Sequence, residues 1–145
     1  MFKRILVAVD GSKTALHALD KAIELQQLTQ AEIFLLCVFK HHSLFEASLS
    51  MVRPDNMQIP DQALTEYAKS VVEQAKAYAT DREATCRGFV KGGRPSKTII
   101  KFAKEKDVDL IVMGSHGTHT DVDGMILGSV SQRVAGRAHC PTLVV

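Results

Sequence analysis

Residues 92–117 read GGRPSKTIIKFAKEKDVDLIVMGSHG, and this stretch decides the fold. It opens on the turn Gly92-Gly93-Arg94, with Pro95 at the first position of a helix, where a missing N–H leaves nothing unpaired. The helix runs to about Lys106 and turns Ile99, Ile100, Phe102 and Ala103 inward. Asp109 to Met113 follows as a strand that is apolar on both faces, so it belongs inside a sheet rather than at its surface. A loop rich in Gly, Thr, His and Asp then runs from Gly114 to Gly124. A helix feeding directly into a wholly apolar strand is half of a parallel crossover unit.

The same alternation extends in both directions. Upstream, Lys3 to Val9 reads as a buried strand, and Asp10-Gly11-Ser12 as the turn after it. Ser12 suits the N-cap of a helix to about Leu28, with Ala15, Leu16, Leu19, Ala22 and Ile23 on its inner stripe. Glu32 to Phe39 is a second buried strand. Asp61 to about Thr80 is a helix carrying Leu64, Ala68, Val71, Val72 and Ala75 on one face. Thr85 to Val90, interrupted by Arg87 and Gly88, suits a sheet edge. Downstream, a short helix starts near Gly128 or Ser129 and buries Val130, Val134 and Ala138, and Pro141 to Val145 is the last strand. The order β-α-β-loop-α-β-α-β-α-β predicts an α/β fold, a single doubly wound parallel sheet of five strands with helices on both faces. Lys40 to Pro60 has no clear period, although a short helix fits Leu44 to Met51. Leu44, Phe45, Leu49, Met51 and Val52 are too many apolar residues for a freely solvated loop, so this segment is expected to pack as a lid on the domain or against a partner.

Composition removes several classes of function. The 145 residues suit one domain, 1–145. Lys and Arg number 18 against 16 Asp and Glu, a net charge of +2, and the charges are scattered without a basic stripe, so no nucleic-acid partner is expected. The longest apolar run, Ile33 to Phe39, is far below the about 20 residues a membrane-spanning helix needs. Ile5 to Val9 is also too short for a signal-peptide core. No membrane insertion and a cytoplasmic location follow as expectations. Cys37, Cys86 and Cys140 form no CxxC pair and read as free thiols of a reducing compartment.

In a doubly wound sheet the ligand sits beyond the carboxyl ends of the strands, at the switch point. Strand one ends in Ala8-Val9-Asp10-Gly11-Ser12 and strand four in Met113-Gly114-Ser115-His116-Gly117. If these strands are neighbours, an acid and a glycine-rich loop face each other across a crevice. Gly128-Ser129-Val130-Ser131 opens a helix whose first N–H groups, beside small hydroxyl residues, form an anion site. The combination reads as a phosphate site, against the alternative of an ordinary βα loop whose glycines only make turns. Gly92 to Thr98 fails as a Walker-type loop, because Lys91 and Ser96 stand where glycines should and Pro95 removes an N–H. His116, His119, Asp121 and Asp123 are suitable metal-ligand types without a zinc spacing. No Gly-x-Ser-x-Gly elbow surrounds Ser12, Ser115, Ser129 or Ser131, so their hydroxyls suit donation to phosphates.

Over essentially its whole length the sequence resembles the universal stress protein family, through ILVAVDGS (5–12), IFLLCVF (33–39), residues 92–117 and GSVSQRVAGRAHCPTLVV (128–145). The ATP-binding branch of that family is marked by Gly-x2-Gly-x9-Gly-Ser/Thr. Here ten residues, Thr118 to Leu127, separate Gly117 from Gly128, one more than the pattern, with the extra residue assigned to 118–124. The resemblance implies a Rossmann-like sheet of order 3-2-1-4-5, with strands one and four side by side. It implies bound ATP, with Ala8 and Asp10 on the adenosine side, Val38 at the adenine, and Met113, Gly114, Gly117, Gly128, Ser129 and Val130 around the ribose and phosphates. Val9 and Ser131 complete the candidate set, and Asp10 would also serve a Mg²⁺ ion carried by the nucleotide.

A homodimer or higher homo-oligomer through the last strand, Thr142 to Val145, is also implied, since an apolar edge needs cover. Within the family, residues 37–54 look most like a universal stress protein encoded beside a TRAP-type osmolyte transporter, which makes a transporter component a candidate partner. The function so implied is that of a cytoplasmic ATP-binding regulator and not an enzyme, with slow hydrolysis at most. The sequence offers no arginine finger, Walker lysine or evident water-positioning residue. The first loop also lacks the His-x-Gly-His of related nucleotidyl-transfer folds. Two alternatives stand beside it. One is an enzyme acting on a nucleotide or phosphorylated substrate through His116 or Asp10. The other is a nucleotide-free structural member.

Overall fold

A computed structural model describes residues 1–40, 61–116 and 127–145. The expected helix at Leu44 to Met51 and the five apolar residues around it lie outside the described residues. The elements are β1 (Arg4–Ala8), α1 (Lys13–Thr29), β2 (Glu32–Phe39), α2 (Asp61–Asp81), β3 (Cys86–Gly92), α3 (Pro95–Glu105), β4 (Leu110–Met113), α4 (Ser129–Arg137) and β5 (Thr142–Val144). The five strands form one sheet in the order β3-β2-β1-β4-β5, and every neighbouring pair is parallel. The alternating pattern and the implied strand order therefore both hold.

Local signals set the element ends. The Ser12 hydroxyl accepts the Ala15 N–H at 3.2 Å and caps α1. Gln30 closes that helix in a left-handed conformation, its N–H donating to the Gln26 carbonyl at 2.7 Å. Pro95 stands in the first turn of α3, as its fixed φ and missing N–H require. Asp109 precedes β4 and clips it to β1, its carboxylate accepting the N–H groups of Lys3 at 2.8 Å and Arg4 at 3.1 Å.

β3 continues through Arg87 and Gly88, so these residues do not interrupt it. Gly88 is instead a contact residue. A Cβ at this position would stand 2.3 Å from Val72 Cγ1, so the missing side chain lets α2 close onto the edge strand.

Successive residues of β1 enter opposite layers, as the pleat of a strand requires. Ile5 and Val7 join α1 and α2 residues such as Leu19 and Val72 on one face of the sheet. Leu6 joins Phe102 of α3 and Val134 of α4 on the other. The chain leaves β1 toward one face and β4 toward the other, so the topological switch point lies between these two strands.

All three cysteines are free thiols. Burial, and secondarily the Asp10 carboxylate, push the Cys37 thiol up to about 11 from 9.0. Between those values an unfolded chain gives up the proton that the native state keeps. The contribution of Cys37 to stability is therefore complete below pH 9 and is lost as pH rises toward 11. Urea titrations of Cys37→Ala should show a flatter loss of stability across this window than the wild type. Native Cys37 should also react slowly with iodoacetamide at mildly alkaline pH and quickly once the chain is unfolded in urea.

Candidate functional site

The pairing of Val7 with Val112 brings the carboxyl ends of β1 and β4 side by side. Half-buried Ala8 and Val38, half-buried Val130 of α4 and buried Met113 all belong to the layer shared with α3 and α4. Three strands and one helix thus bring four candidate residues to the same face of the sheet. Val9 points the other way. Its side chain is buried with the α1 layer, and its N–H donates to the Leu36 carbonyl at 2.9 Å, carrying β1 one step further. Asp10 stands exposed beyond it. Its Oδ1 accepts the Ser12 N–H at 2.9 Å across a turn in which Gly11 has φ +87°. No hydrogen bond to Oδ2 is seen among the described residues.

Gly114, Ser115 and His116 form a neck held from three sides. On the first side is α1. A Cβ at Gly114 would fall 2.7 Å from Thr14 Oγ1 and 2.9 Å from the Thr14 carbonyl carbon, so helix and loop touch backbone to backbone. The Thr14 hydroxyl also donates to the His116 carbonyl. On the second side is α4. The Ser131 hydroxyl donates to the Gly114 carbonyl at 2.7 Å, and the Gly128 N–H donates to the Ser115 carbonyl at 2.7 Å. On the third side is the residue after β5. The Ser115 N–H donates to the Val145 carbonyl at 2.8 Å, and the Val145 N–H to the Met113 carbonyl at 2.9 Å.

The Ser115–Gly128 bond joins described residues on either side of the segment that holds the extra residue. Gly117, His119, Asp121 and Asp123, with the extra residue itself, lie outside the described residues. Gly128 is buried at the N-cap of α4 and offers no side-chain cap. The first-turn N–H groups at Ser129, Val130 and Ser131 consequently have no acceptor within the helix, and a helix start in this state favours an anion. Ser129 is exposed beside them. Ser131 differs from the other hydroxyl residues, being only 4% exposed with its proton directed at Gly114.

Gly92 to Thr98 is a turn into α3, with the Thr98 N–H donating to the Arg94 carbonyl at 2.9 Å. Among the described residues no group of three His, Cys, Asp or Glu side chains converges on a metal-sized site. No described helix is long and apolar enough to cross a membrane. Thr14 was invisible to motif reading. Nothing in the sequence near position 14 announces a contact with residues 114–116, and only the packing of α1 on β4 creates it.

A sequence profile of the universal stress protein family matches residues 1–145. The chain is 35% identical over 148 residues to universal stress protein YxiE of Bacillus subtilis, covering 100% of this chain and 99% of that protein. Its fold is similar to the solved structure of MJ0577 from Methanocaldococcus jannaschii, with a TM-score of 0.79 and 32% identity over 100% of this chain and 96% of the other. A universal stress protein from Archaeoglobus fulgidus, solved in complex with dAMP, shares the fold with a TM-score of 0.71 at 23% identity, over 99% of this chain and 97% of that one.

The neck generates a direct test. Gly114→Ala adds a methyl group against the Thr14 backbone, and overpacking of this kind costs about 1–3 kcal/mol. Urea unfolding should show a loss in that range, whereas an unchanged midpoint would mean that the α1–β4 contact is loose.

Proposed function

The chain belongs to the universal stress protein family, and from that premise we propose that it is a cytoplasmic regulator that binds ATP at the carboxyl ends of β1 and β4. The observation that carries this reading is the hydrogen-bonded neck of Gly114 to His116, tied to Gly128 at the open start of α4 and set beside the switch point. Val38 and Ala8 offer the apolar surface an adenine needs. Gly114, Gly117, Gly128 and Ser129 supply backbone close to the phosphates, with the uncapped N–H groups of α4 behind them. Met113 and Val130 pack beneath this surface, and Val9 sets the position of Asp10. Ser131 acts through Gly114 rather than on the ligand. The dAMP held by the Archaeoglobus fulgidus protein supports an adenine nucleotide as the ligand class.

Asp10 fits a Mg²⁺ ion brought by the nucleotide, since that ion takes oxygen ligands and commonly binds one or two carboxylates together with phosphates. ATP in this reading is a ligand, hydrolysed slowly if at all. It biases which surface the protein shows to partners, a transporter component among them on the strength of residues 37–54. Assembly completes the proposal. β5 is an edge strand with Leu143 exposed, and a second copy of β5 across a two-fold axis would cover it.

Calorimetry with ATP and Mg²⁺ tests the binding reading. The wild type should bind, and Asp10→Ala should bind more weakly by roughly 1–3 kcal/mol with a reduced Mg²⁺ dependence. A wild type that binds no ATP rejects the proposal. Sedimentation tests the assembly separately. The wild type should run as a dimer at micromolar concentration, and Leu143→Asp, which leaves the Val145–Ser115 bond in place, should run as a monomer. A monomeric wild type would remove the β5 interface.

A further inference from the structure

We propose that the outer face of β3 and α3 is a docking surface for an acidic segment of a partner protein, with one Asp or Glu side chain of that segment seated between Lys91 and Lys101. The proposal does not depend on the nucleotide reading. Residues 86–106 hold seven of the chain's 18 Lys and Arg but only Glu105 of its 16 Asp and Glu, so this stretch carries +6 in a chain of net +2. Along the sequence these cations stand apart, and the fold gathers them. Alternation along β3 puts Arg87, Phe89 and Lys91 on the side of the sheet that α3 covers. Lys97, Lys101 and Lys104 follow at i, i+4 and i+7 on the exposed side of α3, opposite buried Ile99, Phe102 and Ala103. Two contacts join strand and helix. Lys91 and Lys101 line one cavity of about 180 Å³ together with Phe102. Arg87 and Lys106 both approach the Phe89 ring, at 5.6 and 5.4 Å.

Several cations elsewhere sit beside carboxylates, as Arg4 does with Glu32, Lys21 with Glu24, Lys69 with Glu66 and Arg82 with Asp20. On this face only Lys101 has an ion pair among the described residues, with Glu105 at 3.9 Å. Neighbouring like charges repel, and carboxylates from a partner would relieve that repulsion. The chemistry of the face narrows the partner. No large apolar side chain is exposed on β3 or α3, so nothing here anchors in a membrane. Phe89 is half-buried beside Arg87 and Lys106, so no ring stands open for a base to stack on. The cavity instead suits a side chain that ends in a carboxylate, its methylenes against Phe102 and its charge between Lys91 and Lys101. Glu105 lines the same cavity, which leaves Lys91 as the cation there without an ion pair among the described residues. β3 is the edge strand opposite β5, so assembly through β5 leaves it open.

Fluorescence anisotropy with a labelled oligoglutamate peptide tests the surface in the full-length protein. The wild type should bind, and more weakly as salt rises. Lys91→Gln combined with Lys101→Gln should weaken binding at least tenfold. Lys97→Gln combined with Lys104→Gln should weaken it about threefold, and this pair has no ion pair among the described residues to lose, so it reads charge alone. Lys21→Gln combined with Lys69→Gln removes the same charge from the opposite helix layer and should stay within twofold of the wild type. All three double variants should keep the wild-type melting temperature, because every one of these lysines is exposed. In the wild type, the backbone amide signals that move with peptide should lie within residues 86–106. A wild type that does not bind, or an equal loss in all three variants, overturns the docking surface. Equal losses in the first two variants overturn the seat between Lys91 and Lys101. If duplex DNA or phosphatidylserine vesicles bind more tightly than the peptide and are lost in the same variants, the face belongs to a nucleic acid or a membrane, and the proposal is overturned.

Discussion

β1 is hydrogen-bonded on both edges and covered on both faces. Ile5 pairs with Ile33 on one side and Leu110 on the other, and Ile5, Leu6 and Val7 are completely buried. Each such side chain contributes about 1.5–3 kcal/mol on burial, so a strand of five residues anchors both layers of the core. Because its neighbours β2 and β4 continue to opposite faces, the central strand also creates the crevice at its own carboxyl end. The candidate site is thus a consequence of how β1 is buried: it takes in paired strand residues, Ala8, Val38 and Met113, and continues past the strand ends.

The carboxyl end is built from contacts between elements far apart in the chain. Thr14 meets residues 114–116, Ser131 meets Gly114, and Val145 meets Ser115. Each uses a backbone group that a longer strand would have paired with a neighbour. This arrangement satisfies the polar groups at the end of β4, while the first N–H groups of α4 receive no side-chain cap from Gly128. It also joins the edge strand β5 to the neck, because the residue after that strand holds both Met113 and Ser115. The edge and the site therefore share one hydrogen-bonded structure.

Much of this was legible in advance. Periodicity located the nine described elements to within two residues at nearly every end, because a strand of apolar residues and a helix with one apolar stripe are local patterns. The N-cap at Ser12, the turn into Pro95 and the edge position of β3 were equally local. Gly88 was misread for a related reason. A glycine in a strand looks like an interruption until the helix that needs its empty space is in view.

By itself the sequence determined the element order, the parallel sheet, the two helix layers and the positions of the glycine-rich turns, since each depends on residues near one another in the chain. The strand order came from family resemblance and agrees with the sheet observed. Only the tertiary structure decided how the candidate residues divide their work. It turned Val9 away from Ala8, committed the Ser131 hydroxyl to a carbonyl, brought Thr14 against the candidate site and left His116 Nε2 without a hydrogen-bond partner among the described residues. These outcomes depend on directions and distances between residues about 17 to more than 100 positions apart, and a side-chain hydrogen bond at that separation leaves no pattern in the local sequence.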